Sequence, residues 1–189
     1  MENVVPQPCF RTDRSGHTMK RPNHLFMRPG AVRRLTPAER ALAAEMFGRS
    51  LDCDPVRVWS CPIPLVNRAF VAGHGFGRSW IVMPKRSALL DFGAPTAPIA
   101  RAALFVHELT HVWQAQRGLN LLLAKLKAGD RAESYLYDLG SGPDWSSLNI
   151  EQQAMVVEDE FRRRRGAAVL WPAEAYRRIL PFGGDTEIA

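Results

Sequence analysis

The chain has 189 residues and a formal net charge of +6, and its apolar and charged fractions are ordinary for a globular protein. This length is typical of a single domain with a sizeable core. No apolar run approaches the roughly 18 residues that cross a membrane, and Met1–Phe10 lacks the apolar stretch and cleavage site of a secretory signal. The sequence therefore predicts a cytoplasmic protein without a membrane span.

Positive charge is concentrated at the N-terminus. Residues 1–34 carry seven lysines and arginines against two acids, so the rest of the chain is nearly neutral. Residues 1–30 also hold few large apolar side chains, and we expect a basic, poorly ordered tail there, followed by a single domain at 31–189. Because the excess charge lies on this tail, the sequence does not favour nucleic acid as a partner.

The three cysteines, Cys9, Cys53 and Cys61, cannot all pair with one another. The spacing of Cys53 and Cys61 does not suit a zinc knuckle. We therefore expect free thiols that pack as small apolar residues, as is usual in a reducing compartment.

The first half of the domain predicts one helix and a small sheet. Thr36, Pro37 and Glu39 form a capping box with proline at the first helical position, so a helix should run from there to about Phe47 or Ser50. Alternating or β-branched runs then predict strands, and three glycines between the last two predict a loop. The predicted strands are at 56–60, 68–71 and 80–84, and the predicted glycine loop is at 73–77. The arrangement predicts a mostly antiparallel sheet.

The second half is predominantly helical. A helix should begin at Thr96–Pro98 and end at Gly118, and it is apolar on both flanks, which is typical of a buried helix. Further helices are predicted at 119–127, at 131–139, after the capping-box pair Asn149 and Gln152, and after Pro172.

Residues 107–111 of this buried helix read His-Glu-Leu-Thr-His. Residues four apart lie on one helix face, so His107 and His111 should point at one spot and supply two ligands of a tetrahedral zinc site. Glu108 lies between them, within reach of a water in the open metal position. This spacing is the zinc-protease pattern in which the glutamate is the general base.

A catalytic zinc needs a third protein ligand. No histidine follows position 111, and the sixth residue after it is Arg117, so the longer three-histidine motif is absent. Of the remaining histidines, His17 and His24 lie in the tail, which leaves His74 or a carboxylate.

Two glutamates of the helix after Asn149 qualify as the carboxylate ligand. Glu151 and Glu158 are seven residues apart and share a helix face. Glu151 is favoured because it lies in the first turn, where the helix dipole stabilises a charged carboxylate. Glu158 lies in the run Glu-Asp-Glu, before the basic run 162–165, which is typical of a solvated helix end. Glu133 is a weaker third option.

The segments His-Glu-Leu-Thr-His-Val-Trp-Gln (107–114) and Asn-Ile-Glu-Gln-Gln-Ala (149–154) resemble bacterial zincin-like metallopeptidases. These proteins are often described as Vgr-related or are found near contractile secretion systems. The likeness spans roughly residues 30–165. It implies an α+β zincin-like fold, in which a small sheet packs on the HExxH helix and on a second glutamate-bearing helix. It also implies Zn²⁺ as the cofactor and supports Glu151 as the third ligand.

The sequence thus predicts a zinc-dependent hydrolase that cleaves a peptide or amide bond, with Glu108 as general base. Tyr135, Tyr137 and His74 are candidates for stabilising the oxyanion, and strand Trp80–Met83 is a candidate edge for pairing with an extended peptide. Peptide, protein and peptidoglycan-type substrates all stay open, as does export by a contractile secretion system. The alternatives are a non-catalytic zinc-stabilised adaptor of such a system and, from charge alone, a nucleic-acid-associated protein.

Overall fold

The computed structural model describes residues 25–75, 77–129 and 132–182, with the side chains at positions 74 and 75 outside the described part. Its strands are β1 (Val32–Arg33), β2 (Val56–Cys61), β3 (Phe70–Gly75) and β4 (Arg78–Pro84). Its helices are α1 (Pro37–Phe47), α2 (Ile99–Gln116), α3 (Leu121–Ala128), α4 (Ile150–Arg164) and α5 (Ala173–Ile179). Two short 3₁₀ turns lie at Ala132–Tyr135 and Trp145–Ser147.

The four strands form one sheet in the order β1-β2-β4-β3. The β1–β2 and β3–β4 pairs are antiparallel, as the sequence predicts for most of the sheet, but the central β2–β4 pair is parallel. This order places β3 at an edge and β4 inside the sheet. The prediction that Trp80–Met83 offers a free edge is therefore wrong, because both sides of β4 are already paired.

Strand β3 is longer than the sequence predicts and includes part of the expected glycine loop. The prediction placed a strand at 68–71 and a loop at 73–77, whereas the strand runs from Phe70 to Gly75. Its register against β4 shifts between Val71 and His74, and Gly73 there has a φ of 93°, which residues with a Cβ rarely adopt. A glycine-permitted bulge thus lets the strand continue.

The sheet packs against α2, which packs in turn on α4. Apolar residues such as Val58, Ile81, Phe105 and Leu109 are fully buried between these layers. The predicted limits of α2 are confirmed to within two residues, and its burial on nearly every face is confirmed as well. Two helices, α2 and α4, therefore approach closely behind the sheet, and they carry the candidate site residues.

Residues 132–139 do not form the helix predicted at 131–139, and residue 131 lies outside the described part. Only a 3₁₀ turn forms at Ala132–Tyr135, and the following residues are irregular. Side chains from the start of α4 take up carbonyls that a helix would need, since Asn149 donates to the Ser134 carbonyl and Gln152 donates to the Leu136 carbonyl. Side-chain to backbone bonds of this kind compete with helix formation.

Most of the predicted tail, residues 1–24, lies outside the described part, as do His17 and His24. Of the tail residues that are described, Met27 is buried in the core. Cys53 and Cys61 are free thiols, Cys61 buried and Cys53 partly buried. Among the described residues, no helix is long and apolar enough to cross a membrane.

Glu39, at the start of α1, is fully buried and holds several groups together. The predicted capping box with Thr36 is confirmed. The same carboxylate accepts two bonds from the Arg33 guanidinium, at 2.6 and 2.7 Å, and one from the Phe92 amide at 2.8 Å. Glu39 therefore connects β1, α1 and the loop before α2.

We expect Glu39→Ala to lower the free energy of unfolding by about 3 to 5 kcal/mol, because it leaves the part-buried Arg33 cation without its partner. Urea denaturation followed by circular dichroism measures the change. Glu174→Ala is the matched control, since Glu174 pairs with Arg177 at 3.7 Å on the surface and should cost at most about 1 kcal/mol. Equal losses in the two variants would contradict the assigned role of Glu39.

Candidate metal centre

His107 and His111 lie on the face of α2 that meets α4. Both are buried, and their ring centroids are 4.9 Å apart with the ring planes nearly perpendicular. The one-turn spacing predicted from the sequence therefore does bring the two imidazoles together. A buried helix can hold them here because its other faces are occupied by apolar residues that pack on the sheet.

Glu151 approaches the two histidines from the first turn of α4. Its Oε2 atom lies 3.3 Å from Nε2 of His107 and 3.3 Å from Nε2 of His111. The side chain is 1% exposed. The capping box of Asn149 and Gln152, predicted from the sequence, is confirmed and fixes where α4 begins. The ligand atoms of His107, His111 and Glu151 all lie within 4.8 Å of one another, a spacing that could hold a metal ion.

Glu158 occupies a different position from Glu151. Its Oε2 accepts a hydrogen bond from Nδ1 of His107 at 3.1 Å, and its Oε1 pairs with Arg162. The expectation of a solvated Glu-Asp-Glu face is wrong, because Glu158 is 6% exposed and Glu160 is 1% exposed. Glu160 is compensated by Arg163 and Arg164 in the next turn. Glu158 thus contacts the Nδ1 side of the His107 ring, opposite Nε2, and lies outside the cluster of His107, His111 and Glu151.

Gln114, which the sequence analysis missed, binds the second imidazole from behind. Its Oε1 lies 2.8 Å from Nδ1 of His111, while its Nε2 donates to the Ile150 carbonyl and to Oε1 of Gln153. The amide orientation is thereby fixed, so Nδ1 of His111 carries the proton. The sequence feature that could have indicated this contact is the position of Gln114 three residues after His111, on the same side of the helix.

These outer bonds leave three acceptor atoms facing one another. With Nδ1 of each imidazole donating, each neutral ring presents a lone pair at Nε2, and both lone pairs face the Glu151 carboxylate, which also only accepts. Such an arrangement is repulsive until a proton or a metal ion lies between these atoms, and without a metal ion a proton on Nε2 of His107 makes the hydrogen bond to Oε2 of Glu151 at 3.3 Å. The residues therefore fit a metal ion that binds His107 and His111 through Nε2 and Glu151 through Oε2.

The electrostatics point to the same need for positive charge. Burial alone would lower the pKa of His107, but its bonds to Glu151 and Glu158 outweigh this and raise the pKa to about 9. Burial likewise disfavours charge on Glu151 and Glu158, yet the two histidines beside Glu151, and His107 with Arg162 beside Glu158, hold both pKa values below the ordinary glutamate range. The two carboxylates thus attract a proton or another cation to the imidazoles.

Glu108 is 3% exposed and points into the same region. Its Oε2 atom has no hydrogen-bond partner among the described residues. Burial raises the pKa of this carboxyl, opposed by the neighbouring histidines. A buried carboxylate oxygen without a donor is costly to keep, and it is available to accept a proton from a molecule in the cleft.

A cleft of about 1330 Å³ opens beside the cluster. It is bounded by β3, α2, α3 and α4, and Glu108, His107, His111 and Glu151 all line it. Apolar side chains from all four of these elements and from the loop before α3 form much of the remaining wall. They are Phe70, Val71, Leu104, Leu119, Leu121, Leu122 and Met155.

The other candidates are distributed unevenly around this cleft. Tyr135 lines it. Tyr137 does not, because its hydroxyl donates to Asp159 at 2.6 Å, away from the cluster. Glu133 is exposed and is not among the lining residues. The side chain of His74 lies outside the described part.

Lys125, a residue that the sequence analysis did not single out, also lines the cleft, and its Nζ lies 3.2 Å from Oε1 of Glu151. A lysine on a short, leucine-rich helix gives no local sign of such a contact. Only the packing of α3 on α4 reveals it.

No family model matches the sequence. The chain is 33% identical over 143 residues to the type VI secretion system spike protein VgrG2b of Pseudomonas aeruginosa. That alignment covers 69% of this chain but only 13% of the spike protein. A solved structure, the effector domain of Pseudomonas aeruginosa VgrG2b, superposes with a TM-score of 0.57 at 31% sequence identity. It covers 71% of this chain and 76% of the solved one, and the chain therefore belongs to the family of the VgrG2b effector domain.

Proposed function

We propose that the chain is a zinc-dependent hydrolase that cleaves a peptide or amide bond. The single observation that carries this proposal is the convergence of ligand atoms from His107, His111 and Glu151, all within 4.8 Å of one another, beside Glu108, whose Oε2 has no hydrogen-bond partner among the described residues. Two imidazoles and one carboxylate are a donor set typical of catalytic zinc, which keeps a fourth position open. The adjoining cleft supports a catalytic site over a closed structural one.

The outer partners of the imidazoles also suit this role. Metal-bound histidines usually donate their second ring N–H to a carboxylate or a carbonyl-type oxygen, which orients the ring. Here Glu158 takes that bond for His107, and Gln114 takes it for His111. Both rings are therefore held with Nε2 directed toward Glu151 before any ion binds.

Zinc, when bound, would supply Lewis acidity toward a carbonyl oxygen and a bound water with a pKa near 7. The chain's own residues supply the rest. Glu108 accepts a proton at its free Oε2 and delivers it to the departing amine, as a general base that then serves as a general acid. Tyr135 is the remaining described candidate for contact with the oxyanion, since Tyr137 is held by Asp159.

The shape of the cleft supports an extended polypeptide-like substrate. One wall of the cleft is β3, an edge strand of the sheet. An edge strand offers unpaired backbone groups to an extended chain. The apolar lining favours apolar side chains near the scissile bond. A peptide, a protein or the peptide part of a cell-wall polymer would each meet these conditions.

We also propose that the protein acts as an effector of a type VI secretion system. This rests on its membership of the VgrG2b effector-domain family and on the description of the full relative as a spike protein. Delivery by a spike would bring the hydrolase to substrates outside the producing cell.

Removing the metal tests the proposed reaction. We expect purified protein to hydrolyse members of a quenched fluorescent peptide mixture or isolated cell-wall muropeptides, to lose this activity in dipicolinate, and to regain it with stoichiometric zinc. Glu108→Gln protein, purified in the same way, controls for contaminating peptidases. Hydrolysis that persists after zinc has been removed, or zinc-loaded protein that cleaves neither substrate class, would contradict the proposal.

A further inference from the structure

The two oxygens of the Glu151 carboxylate face different partners. Oε2 lies 3.3 Å from Nε2 of each histidine, and Oε1 lies 3.2 Å from Nζ of Lys125. Oε1 has no hydrogen-bond partner among the described residues, so Lys125 provides its compensation as an ion pair. The carboxylate is therefore held from one side by a lysine while its other oxygen faces the candidate metal position.

Helix α3 carries this lysine on its inner side, which is unusual for such a sequence. Positions 121, 124, 125 and 128 are half-buried, and positions 122, 123, 126 and 127 are exposed. Leu123 and Leu126 therefore face outward, each more than 60% exposed, while Lys125 lines the cleft. A helix that turns a lysine toward the protein and leaves leucines in solvent loses apolar burial and partly desolvates the lysine charge. A specific partner of opposite charge can offset this cost.

We propose that Lys125 is a positioning residue for the metal site. By holding Oε1 of Glu151, it directs Oε2 toward the two imidazoles and so raises the affinity of the site for zinc. The inference rests on the proposed zinc function. It assigns to α3, which has no buried residue of its own, a direct link to the catalytic centre.

Two opposite effects follow from a cation at this place. The Lys125 charge repels a divalent ion, which weakens binding, whereas its ion pair with Oε1 restricts the carboxylate to the binding orientation, which strengthens binding. The Lys125 side chain is 44% exposed, so solvent screens its repulsion of the ion. Glu151 is 1% exposed, so the orientation of its carboxylate is set by protein contacts alone. Orientation should therefore prevail.

The test is zinc affinity, measured by competition with a chromophoric chelator on the full chain. We expect Lys125→Met to weaken zinc binding by about tenfold, the lower end of the range for outer-shell partners of metal ligands. Lys125→Arg, which retains a donor and a charge, should restore most of the affinity. Lys127→Met is the matched control, since it removes the same charge from the exposed side of the same helix and should leave affinity within about twofold of wild type.

A spectroscopic readout separates positioning from a general loss of structure. The visible absorption of the cobalt-substituted protein reports the geometry around the metal, and we expect it to change in Lys125→Met and to stay unchanged in Lys127→Met. Wild-type affinity or tighter binding in Lys125→Met would overturn this inference alone. Wild-type protein that takes up no zinc would overturn the proposed function, and this inference with it.

Discussion

Glu108→Gln should keep its zinc and lose hydrolysis by at least about a hundredfold, the lower bound for removing a general base. The substitution is nearly isosteric, and Oε2 of Glu108 makes no hydrogen bond to the described residues that the change would break. An amide cannot accept and return a proton at neutral pH. The turnover rate and the zinc content of the same preparation, measured side by side, check the expectation.

Two outcomes would count against this role for Glu108. Turnover within tenfold of wild type would show that another group moves the proton. Loss of zinc together with activity would show that Glu108 holds the metal site together. A thermal melting curve for both proteins controls for a change in stability. Because Glu108→Gln buries a neutral side chain in place of an acid, we expect the melting temperature to stay the same or to rise.

Glu151→Gln and Glu158→Gln should differ sharply in zinc affinity. Glu151 presents Oε2 to both imidazoles, and an amide oxygen is a poor substitute for a carboxylate at a zinc ion, so we expect a loss of more than about a hundredfold, beyond the range for outer-shell partners. Glu158 faces Nδ1 of His107, where a neutral amide oxygen can still accept, so its loss should be about tenfold. Chelator competition measures both.

Each of these two variants also serves as the control for the other. Both glutamates are buried on one face of α4, and each has a cationic partner, Lys125 for Glu151 and Arg162 for Glu158. A loss caused by disturbed packing of α4 should therefore affect the two variants similarly. A larger loss in Glu158→Gln than in Glu151→Gln would reverse the assignment of the third ligand.

Local signals in the sequence predicted the parts of the site that depend on a single helix. The spacing of His107 and His111 sets a common face whatever the fold, and the capping box at Asn149 sets the start of α4 and hence the place of Glu151. The same holds for α1, whose start follows from Thr36, Pro37 and Glu39.

Contacts between distant segments could not be predicted in this way. The run of Glu158, Asp159 and Glu160 looks solvated in sequence, and only the approach of α4 to His107 shows that Glu158 is buried. The parallel pairing of β2 with β4 joins strands separated by β3, so no turn signal specifies it. Lys125 gave no signal because its partner lies 26 residues away on another helix.

The central claim is that His107, His111 and Glu151 bind one zinc ion, and elemental analysis of the purified chain tests it most directly. The account predicts one zinc per wild-type chain, and far less than one in His111→Ala protein prepared in parallel. Wild-type protein that contains no zinc, and takes up none when zinc is added after careful removal of other metals, would contradict it.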